Sequence, residues 1–460
     1  MNVFLLTLAL ATSAQDPPPA IDVIDILIRG GTVVTMDGER RVLEGGAVAI
    51  SGDRIRAIFS ASDPLPDAAE TIDASGHLVI PGLINAHGHA AMTLLRGVAD
   101  DLALMEWLEN YIFPAEARNV SPEFVYWGSL LGCVEMARGG TTTYADMYYF
   151  EEEVARATEA VGIRGVLGQS VIGFPAPDYK TPEEALIGAE AFIEKYKSHP
   201  LVIPSIAPHA LYTTPLDIVA KAHAIARKHD VPFQIHAVEA PQENDQMIEK
   251  LGKRTIPALD DAGILTPGVI LHHAIWLSDD DIQRIAMSGA SVSHNPESNM
   301  KTAAGLARVP ELLAAGIAVG LGTDGAASNN NLDMFEEMDT AAKLHKLVRE
   351  DPTAMPATTV FHMATMGGAR ALGIDDRVGS LEAGKLADIV LVDVRAPELT
   401  PLYDVYSHLV YAIKAGHVAT VLVGGRVVVR DKDVVAVDEG EVMEKANELK
   451  EQILRSLDAR

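Results

Sequence analysis

The alternation of apolar and polar positions divides the chain into segments with different periods. Residues 25–59 are short β-branched runs separated by Gly-Gly, Asp-Gly and Gly-Asp pairs, a pattern that predicts antiparallel hairpins. Residues 384–393 and 418–435 repeat this alternation near the other end of the chain. We therefore predict one small β domain, a β-sandwich, built from residues 21–76 and 376–437.

The middle segment, residues 77–375, alternates apolar runs with helix-compatible stretches, which is typical of parallel βαβ units. The candidate strands are HLVIPGLINAH, TTTYADMYY, IRGVLGQSVIG, LVIPSIAPHA, VPFQIHAVE, GVILHHAIW, ASVSHNPES and IAVGLGTDG. Eight such units predict an α/β fold with a closed (β/α)8 barrel of the TIM type. An open doubly wound sheet is the alternative, but the sequence lacks its Gly-x-Gly-x-x-Gly turn after the first strand. We expect residues 438–460 to form a C-terminal helix.

The first twenty residues have two interpretations. Residues 3–11 form an apolar run, followed by small residues and a Pro-rich spacer, which is the layout of a secretory signal and predicts an exported or periplasmic protein. No Lys or Arg precedes the run, however, so the segment fits a tail or a misassigned start equally well. In that case we expect a cytoplasmic protein. No later segment reaches the roughly 20 apolar residues of a membrane helix, so we expect no membrane partner.

Charge and cysteine content narrow the range of partners. The chain has 37 Lys and Arg against 64 Asp and Glu, and its net charge of −27 repels nucleic acids and anionic membranes. Its single cysteine, Cys133, excludes an internal disulfide and a thiolate metal cluster. A metal would therefore be held by His, Asp or Glu, and we expect a small-molecule substrate and a homo-oligomer.

Polar residues end several of the predicted barrel strands. They are His87 and His89 after the first strand, His236 on the fifth, His273 on the sixth and Asp324 on the eighth. Such strand ends meet on one face of a barrel, and a two-residue spacing places both His87 and His89 on one face of a strand. A lone His-x-His is more often a surface or core feature, but the convergence of five such residues predicts a site for a divalent cation.

The motifs PGLINAHGH, HAVE, LHHAIWL, SHNPESN and GLGTDGAASNN resemble the amidohydrolase superfamily. The resemblance is greatest to its methylthioadenosine/S-adenosylhomocysteine deaminase branch, with the related chlorohydrolases, and extends over residues 25–435. It implies that His87, His89, His236 and Asp324 bind one divalent ion, most often zinc, and that His273 lies near the metal-activated water. Iron and manganese suit the same ligands. The third and fourth strand ends carry no Lys that could bridge a second metal, which favours a single ion.

The same residues suggest how the reaction would proceed. Asp324 can accept a proton from the metal-activated water, and His273 can hold that water or protonate the leaving group. The family pattern selects His273 over the neighbouring His272, and strand alternation lets only one of them face the barrel axis. Glu239, three residues beyond His236, can protonate a ring nitrogen, although a solvated loop carboxylate is its ordinary alternative.

Four further residues are candidates for substrate binding. The resemblance implies that Glu116 binds ribose hydroxyls and that His209 donates to a purine nitrogen, while Trp107 would line the pocket; a surface carboxylate, a structural histidine and a core aromatic are the alternatives. Gln169 stands near the end of the third strand, where relatives that accept the homocysteine tail present arginine. Lys180 is a poor substitute because it lacks a guanidinium fork. This departure favours substrates with an uncharged 5′ group, such as methylthioadenosine.

The sequence therefore predicts a metal-dependent hydrolytic deaminase of adenosine-type nucleosides. Two alternatives remain: another amidohydrolase acting on a triazine or a cyclic amide, and a metal-dependent protein that binds a heterocycle without turnover. The polar residues of SHNPESN and DGAASNN are expected to fix loops by local hydrogen bonds, without a chemical role: His294, Asn295, Ser328 and Asn329.

Overall fold

The structure, a computed structural model, describes residues 24–458. The strands are β1 (Ile24–Val34), β2 (Val42–Ser51), β3 (Arg54–Phe59), β4 (Ala68–Asp73), β5 (His77–Pro81), β6 (Leu83–Asn85), β7 (Thr141–Tyr148), β8 (Arg164–Val171), β9 (Val202–Pro208), β10 (Phe233–Ala237), β11 (Val269–His273), β12 (Ser291–His294), β13 (Val319–Leu321), β14 (Ile389–Asp393), β15 (Val418–Val423), β16 (Arg426–Arg430) and β17 (Asp433–Val434).

The helices that connect these strands are mostly short. The α-helices are α1 (Leu104–Trp107), α2 (Phe113–Asn119), α3 (Pro122–Arg138), α4 (Glu151–Val161), α5 (Pro182–Tyr196), α6 (Leu216–His229), α7 (Glu243–Leu251), α8 (Thr255–Asp261), α9 (Asp279–Ser288), α10 (Pro296–Lys301), α11 (Val309–Ala314), α12 (Met334–Arg349), α13 (Ala357–His362), α14 (Gly368–Ala371), α15 (Val405–Ser407) and α16 (Glu439–Asp458). Turns of 3-10 helix cover Ala90–Leu95, Pro397–Leu399 and Ala415–His417, and π-helical turns cover Leu108–Ile112, Met363–Gly367 and His408–Ala412.

The predicted signal or tail, residues 1–20, lies outside the described residues. Both interpretations of it therefore stay predictions, as does the expected homo-oligomer. Within residues 24–458, no helix combines the length and the apolar character needed to cross a membrane.

The β domain is built from both ends of the chain, which confirms the prediction. Its strands hydrogen-bond into one nine-stranded mixed sheet in the order β17-β16-β15-β14-β5-β1-β2-β3, with β4 pairing beside β1. The N- and C-terminal segments meet where β5 runs antiparallel to β14. The sheet buries apolar side chains from both segments, among them Ile28, Val48, Ile389 and Leu422.

The middle of the chain forms the predicted (β/α)8 barrel. Strands β6 to β13 are parallel and lie in sequence order around it. The first and last strands close the ring, because the Ala86 N–H donates to the carbonyl of Leu321 at 2.7 Å and the Asp324 N–H donates to the carbonyl of His87 at 3.0 Å. The closure holds the residues that follow β6 and β13 next to each other.

The first predicted barrel strand, HLVIPGLINAH, is two strands in the structure. It divides at Gly82, so that β5 joins the mixed sheet and only β6 belongs to the barrel; the barrel therefore begins at Leu83 and not at residue 77. A Cβ atom on Gly82 would lie 1.9 Å from the Thr142 hydroxyl oxygen, and the Gly82 N–H donates to the carbonyl of Asp388 at 3.0 Å. Only glycine fits this close crossing of the chain between the two sheets.

A polar side chain spans the barrel interior beneath the strand ends. Gln234 precedes His236 by two residues and so projects from the same face of β10. Its amide nitrogen donates to the Ser205 hydroxyl at 2.7 Å and to the carbonyls of Asp146 and Val166 at 3.1 and 3.3 Å. These acceptors lie on β9, β7 and β8, so the interior below the histidines is a packed, hydrogen-bonded layer.

The last helix, α16, packs along α3 and α2. Val442, Leu449 and Ile453 form its buried stripe. At its end, the carbonyl of Ser456 accepts from Arg118 at 3.2 Å, and the Ser456 hydroxyl accepts from the Asn119 amide at 2.8 Å. The C-terminus of the described chain thus supports the helical segment that precedes α3.

A buried ion pair joins the barrel to the β domain. Arg164, at the start of β8, lies 3.1 Å from a carboxylate oxygen of Asp388, and both side chains are almost fully buried. Asp388 also accepts the Gly424 N–H at 2.7 Å. A buried pair of this kind is costly to break, because the charge that remains has no partner and no water.

We expect Asp388→Asn, which removes the charge and keeps the shape, to lower the free energy of unfolding by about 3–5 kcal/mol. Urea denaturation measures the change. The matched control is Asp217→Asn, which breaks the exposed pair of Asp217 with Lys221 and should change stability by less than about 1 kcal/mol. Equal effects of the two substitutions would contradict a structural role for the buried pair.

Candidate active site

The five strand-end residues predicted to form a metal site lie together at the carboxyl end of the barrel. His87 and His89 follow β6, His236 is in β10, His273 ends β11 and Asp324 follows β13. The backbone leaves the extended region where two of these strands end, with φ values of 68° at His273 and 62° at Asp324. Left-handed residues end the pleat abruptly and redirect the side chains toward the barrel mouth.

Asp324 is the group that the histidines share. Its Oδ1 lies 3.2 Å from Nε2 of His89 and 3.4 Å from Nε2 of His87, and its Oδ2 lies 4.0 Å from Nε2 of His273. The His87 and His236 rings are 4.9 Å apart between centroids. The possible ligand atoms of His87, His89 and Asp324, and likewise those of His87, His236 and His273, all lie within 4.8 Å of one another.

Backbone carbonyls orient two of the imidazoles. His89 Nδ1 lies 2.7 Å from the carbonyl of Met147, and His236 Nδ1 lies 2.8 Å from the carbonyl of His209. A carbonyl can only accept, so Nδ1 carries the hydrogen in both rings and the lone pair of each Nε2 is available to a metal.

The electrostatics of the cluster fit a bound cation. Both ring nitrogens of His87 are buried without a hydrogen-bond partner, and burial lowers the pKa of His87 to about 3. Burial opposes ionisation of Asp324, but the contacts with His87 and His89 hold its pKa well below the usual range. Burial likewise lowers the pKa of His89, yet the adjacent Asp324 outweighs it and raises that pKa to about 9. Loss of the additional proton of His89 on metal binding would leave imidazoles around an ionised carboxylate, which is the donor set that a divalent ion such as zinc accepts.

Two serines fix the Asp324 carboxylate. Its Oδ2 accepts from the Ser298 and Ser328 hydroxyls at 2.6 and 2.9 Å, and its Oδ1 accepts the Gly325 N–H at 2.7 Å. The role of Ser328 is thus more than the purely local one expected from the sequence, and Ser298 is a site residue that the sequence pattern does not single out. The structure places both of them on the carboxylate that the histidines share, so they orient a candidate ligand.

His273 faces Glu239, and an asparagine holds its other nitrogen. Nε2 of His273 lies 3.6 Å from Oε1 of Glu239, while Nδ1 lies 2.8 Å from the side-chain oxygen of Asn299. Since that amide oxygen only accepts, Nδ1 donates and Nε2 is directed into the site. Asn299 ties α10 to the end of β11 and is a second residue that the sequence analysis did not single out.

The expectation that only one of His272 and His273 faces the barrel axis is wrong. The His272 ring stacks on the His87 ring at 3.9 Å, and the His273 ring approaches His87 at 5.2 Å. Side chains alternate only while a strand stays extended, and the positive φ of His273 ends the extended stretch at that residue. His272 therefore lies under His87, whereas His273 lines the cavity above it.

Glu239 is a buried carboxyl group at the edge of this cluster. Glu239 is 6% exposed, and burial raises the pKa of its carboxyl group above the usual range. This is not the environment of a solvated loop carboxylate, which was the alternative at the sequence level. A carboxyl group whose pKa is raised retains its proton at higher pH and can act as a proton donor.

A cavity with about 620 Å³ of empty space, part of which is open to solvent, lies above these residues. Its lining includes Glu116, Trp107 and His209, as the sequence analysis expected, together with His89, His236, Glu239, His273 and Asp324. The remaining lining residues are mostly apolar or aromatic: Met92, Leu104, Leu108, Ile112, Phe113, Met147, Tyr148, Tyr149, Ser170, Ile172 and Tyr212. A mostly apolar cavity with a few convergent polar groups suits a small organic molecule.

Glu116 and Trp107 project into the cavity from one helical segment, residues 104–119. The segment is α-helical at both ends and has a π-helical turn at Leu108–Ile112. The Tyr148 hydroxyl donates to Oε1 of Glu116 at 2.6 Å, and burial raises the pKa of Glu116 to about 7. Tyr148, at the end of β7, thus orients Glu116, and the sequence pattern did not reveal this pairing.

His209 reaches the cavity from the end of β9. Its Nδ1 lies 2.9 Å from the Thr213 hydroxyl, and burial lowers its pKa to about 3. The ring is 4.8 Å from that of His236. His209 is therefore a neutral imidazole beside the candidate metal ligands, able to donate or accept one hydrogen bond to a bound ring.

Gln169 does not line the cavity, contrary to the sequence-based expectation. Its amide nitrogen donates to Asp178 at 2.8 Å and to the carbonyl of Ser170 at 3.1 Å. The neighbouring Ser170 lines the cavity instead, because consecutive side chains of β8 point to opposite faces.

No Lys or Arg lines the cavity in the described part of the chain. The Lys180 ammonium, considered above as a substitute for arginine, donates to the carbonyl of Ala176 at 2.8 Å. The lining likewise contains no lysine that could bridge two metals. The cavity therefore offers carboxylates, imidazoles and apolar surface, with no fixed cation for an anionic group.

The chain is similar to known proteins over most of its length. Residues 78–428 match the model of the amidohydrolase family. The chain is 47% identical over 436 residues to "5-methylthioadenosine/S-adenosylhomocysteine deaminase 1" of Syntrophus aciditrophicus. The match covers 94% of this chain and 98% of that protein. It is 44% identical over 432 residues to "5'-deoxyadenosine deaminase" of Methanosarcina mazei, with coverage of 94% and 98%.

A solved structure is similar throughout. The adenosine deaminase from Xanthomonas campestris with bound zinc superposes with a TM-score of 0.92 at 38% identity, over 95% of this chain and 100% of that one. Together with the relatives, it confirms the resemblance inferred from the motifs.

We expect the protein to bind one divalent ion per chain after incubation with zinc and desalting, and His87→Ala and Asp324→Asn to bind none. Each substitution removes a donor from the buried cluster, and the remaining groups cannot complete the coordination. Metal analysis by mass spectrometry measures the ratio of ion to protein. His223→Ala is the control, because His223 lies outside the cluster and bonds to Thr266. Two ions per chain, or full retention by His87→Ala, would contradict the assignment.

Proposed function

The chain belongs to the amidohydrolase family, and on this premise we propose that it is a metal-dependent hydrolytic deaminase of adenosine-type nucleosides. The reaction would convert the amino-substituted purine into the inosine analogue and release ammonia. The observation that carries the proposal is the buried Glu239 carboxyl, 3.6 Å from His273 at the edge of the imidazole cluster. A protonated carboxyl in that position suits attack on a ring amidine, which requires protonation of a ring nitrogen.

The relatives support a nucleoside substrate. The names of the two relatives given above specify 5-methylthioadenosine, S-adenosylhomocysteine and 5′-deoxyadenosine, and each match extends over nearly the full length of both chains. All three compounds carry the same adenine ring and ribose and differ in the 5′ substituent. The part of the site that recognises ring and ribose is therefore expected to be shared.

We assign the metal ligands to His87, His89, His236 and Asp324, with one zinc ion as the metal. The donor set of imidazoles and one carboxylate supports this assignment, as does the zinc in the Xanthomonas structure. When bound, the ion supplies a water with a lowered pKa as the nucleophile at neutral pH.

The residues of the chain divide the proton transfers between them. Asp324 accepts the proton that leaves the attacking water, and Glu239 donates its carboxyl proton to the ring nitrogen next to the attacked carbon. His273, with Nδ1 held by Asn299, keeps Nε2 directed at the attacking water. A proton then passes to the amino group as the C–N bond breaks, so that ammonia leaves and the ring keeps a carbonyl oxygen.

We assign recognition of the nucleoside to Glu116, His209 and Trp107. Glu116 would accept from the two ribose hydroxyls, and Tyr148 fixes the carboxylate for this purpose. His209 would bond to a purine nitrogen, and Trp107 would form part of the apolar wall beside the ring.

The preferred 5′ group is uncharged. The cavity wall near Glu116 is formed by Leu104, Leu108, Ile112 and Phe113, and no Lys or Arg lines the cavity within residues 24–458. An amino-acid tail would bring a carboxylate into this surface without a partner, which carries a desolvation penalty. We therefore place methylthioadenosine and 5′-deoxyadenosine above S-adenosylhomocysteine as substrates.

A panel of compounds tests this function. We expect ammonia release from methylthioadenosine, 5′-deoxyadenosine and adenosine, with kcat/KM for S-adenosylhomocysteine at least about tenfold lower than for methylthioadenosine because its tail lacks a cationic partner. Guanine, pterins and triazines with chloro or amino leaving groups serve as controls, assayed for ammonia and chloride with and without added zinc. Turnover of a triazine or a cyclic amide alone would refute the proposal in favour of another hydrolase.

Replacement of Glu239 separates catalysis from binding. We expect Glu239→Gln to lower kcat by about 10²–10⁴-fold, because the amide keeps the shape but cannot donate the required proton. Metal content and affinity for the inosine product should stay within about threefold of the native values, since the carboxyl is not a metal ligand in this assignment. Glu249→Gln, on the exposed face of α7, is the matched control. Full activity of Glu239→Gln would exclude Glu239 as the proton donor.

A further inference from the structure

We propose that Glu243 is a positioning residue for the reaction, which holds the turn at Val238 and Glu239 and so directs the Glu239 carboxyl at His273. The inference rests on the deaminase function proposed above and deepens it. Glu243 does not line the cavity and would act only through Glu239.

The Glu243 carboxylate binds the backbone of the turn with both oxygens. Oε1 accepts the Val238 N–H and Oε2 accepts the Glu239 N–H, each at 3.0 Å. The Thr255 hydroxyl, at the start of α8, donates to Oε1 at 3.0 Å. The residue is 1% exposed, so water does not compete for these donors.

The turn needs such a partner because its backbone conformation is unfavourable. Val238 has a φ of 55°, in the left-handed region that β-branched residues rarely adopt. A conformation of this kind persists only where the surroundings hold it, and it is concentrated at functional sites. The left-handed residue turns the chain between His236, which faces the candidate metal site, and Glu239, which faces His273.

The other side of the turn is joined to the strand end that carries His273. The carbonyl of Val238 accepts the N–H groups of Ile275 and Trp276 at 3.2 and 3.1 Å, and the carbonyl of Ala237 accepts the Ala274 N–H at 3.1 Å. Glu243 thus binds the N–H groups of the turn, and the residues that follow β11 bind the carbonyls of the turn. The 3.6 Å approach of Glu239 to His273 depends on both attachments.

The chemistry favours a carboxylate over an amide at position 243. Two backbone N–H groups need two acceptors, and a glutamine would present an NH2 donor to one of them. Burial raises the pKa of Glu243 to about 7, while the bonds from the two N–H groups and Thr255 favour the ionised form. Glu243 also begins α7, where a negative charge is favourable next to the N-terminal end of the helix.

Glu243→Gln tests the proposal, with Thr255→Val as the matched control that removes a bond to Glu243 but leaves both bonds to the turn. We expect Glu243→Gln to lower kcat by about tenfold to a hundredfold, the effect of a small misplacement of a catalytic group, with KM and metal content within about threefold of the native values. Thr255→Val should keep kcat within about threefold. An unchanged kcat, or a loss of metal in Glu243→Gln, would overturn the proposal.

A second variant removes the need for the two hydrogen bonds from the turn to Glu243. Glycine adopts positive φ readily, so in a Val238→Gly background Glu243→Gln should lower kcat by a smaller factor than in the native background. A purely structural role for Glu243 predicts equal factors in both backgrounds, and that result would overturn the inference.

Amide hydrogen exchange provides a readout that is independent of substrate. In Glu243→Gln we expect the Val238 and Glu239 amides to exchange at least about tenfold faster than in the native protein, because their acceptors are altered, while the amides of β10 exchange at the native rate. Unchanged exchange at these amides would show that Glu243 does not hold the turn, even if the native protein proves inactive on nucleosides. Absence of deaminase activity in the native protein, with faster exchange in the variant, would instead refute only the proposed reaction.

Discussion

The ionised carboxylate of Asp324, buried among imidazoles, is the constraint on which the rest of the site depends. A carboxylate removed from water must be paired or bonded, and here it is bonded by two serine hydroxyls and a backbone N–H while three histidines approach within 4.0 Å. The imidazoles are in turn fixed by carbonyls of neighbouring strands. The lone pairs that so many buried polar groups bring to one end of the barrel form a donor set that could hold a metal ion.

The geometry of the barrel converts sequence spacing into this cluster. Parallel strands place their carboxyl ends on one face, so residues from His87 to Asp324 meet although about half of the chain separates them. Left-handed residues then direct the last side chain of a strand across the mouth instead of along the pleat, as at His273. The same conformation at Val238 brings Glu239 to the cluster, which makes the ends of the strands, more than their interiors, the determinants of the chemistry.

The sequence predicted those features that depend on composition and period. The strand–helix alternation, the sheet at both ends and the spacing of His87 and His89 follow from local pattern, and the motifs pointed to the family. Features that depend on a single contact or a single backbone angle were not accessible. The division at Gly82 reflects a crossing against Thr142, the direction of Gln169 reflects which face of β8 is turned outward, and the position of His272 reflects the φ of its neighbour. The bonds of Ser298, Asn299 and Glu243 join segments whose proximity only the fold determines.

The packing of α16 against the segment that carries Glu116 has a consequence for how such a protein can diverge. The final turn of α16 bonds to Arg118 and Asn119, which closely follow the cavity-lining Glu116 in the chain, although α16 itself is distant from them in sequence. An exchange of carboxyl-terminal segments between homologous genes would therefore alter the support of the cavity wall that includes Glu116 without changing any residue that lines the cavity. The position of that wall thus depends on two regions that are far apart in the gene, the one encoding residues 104–119 and the one encoding α16.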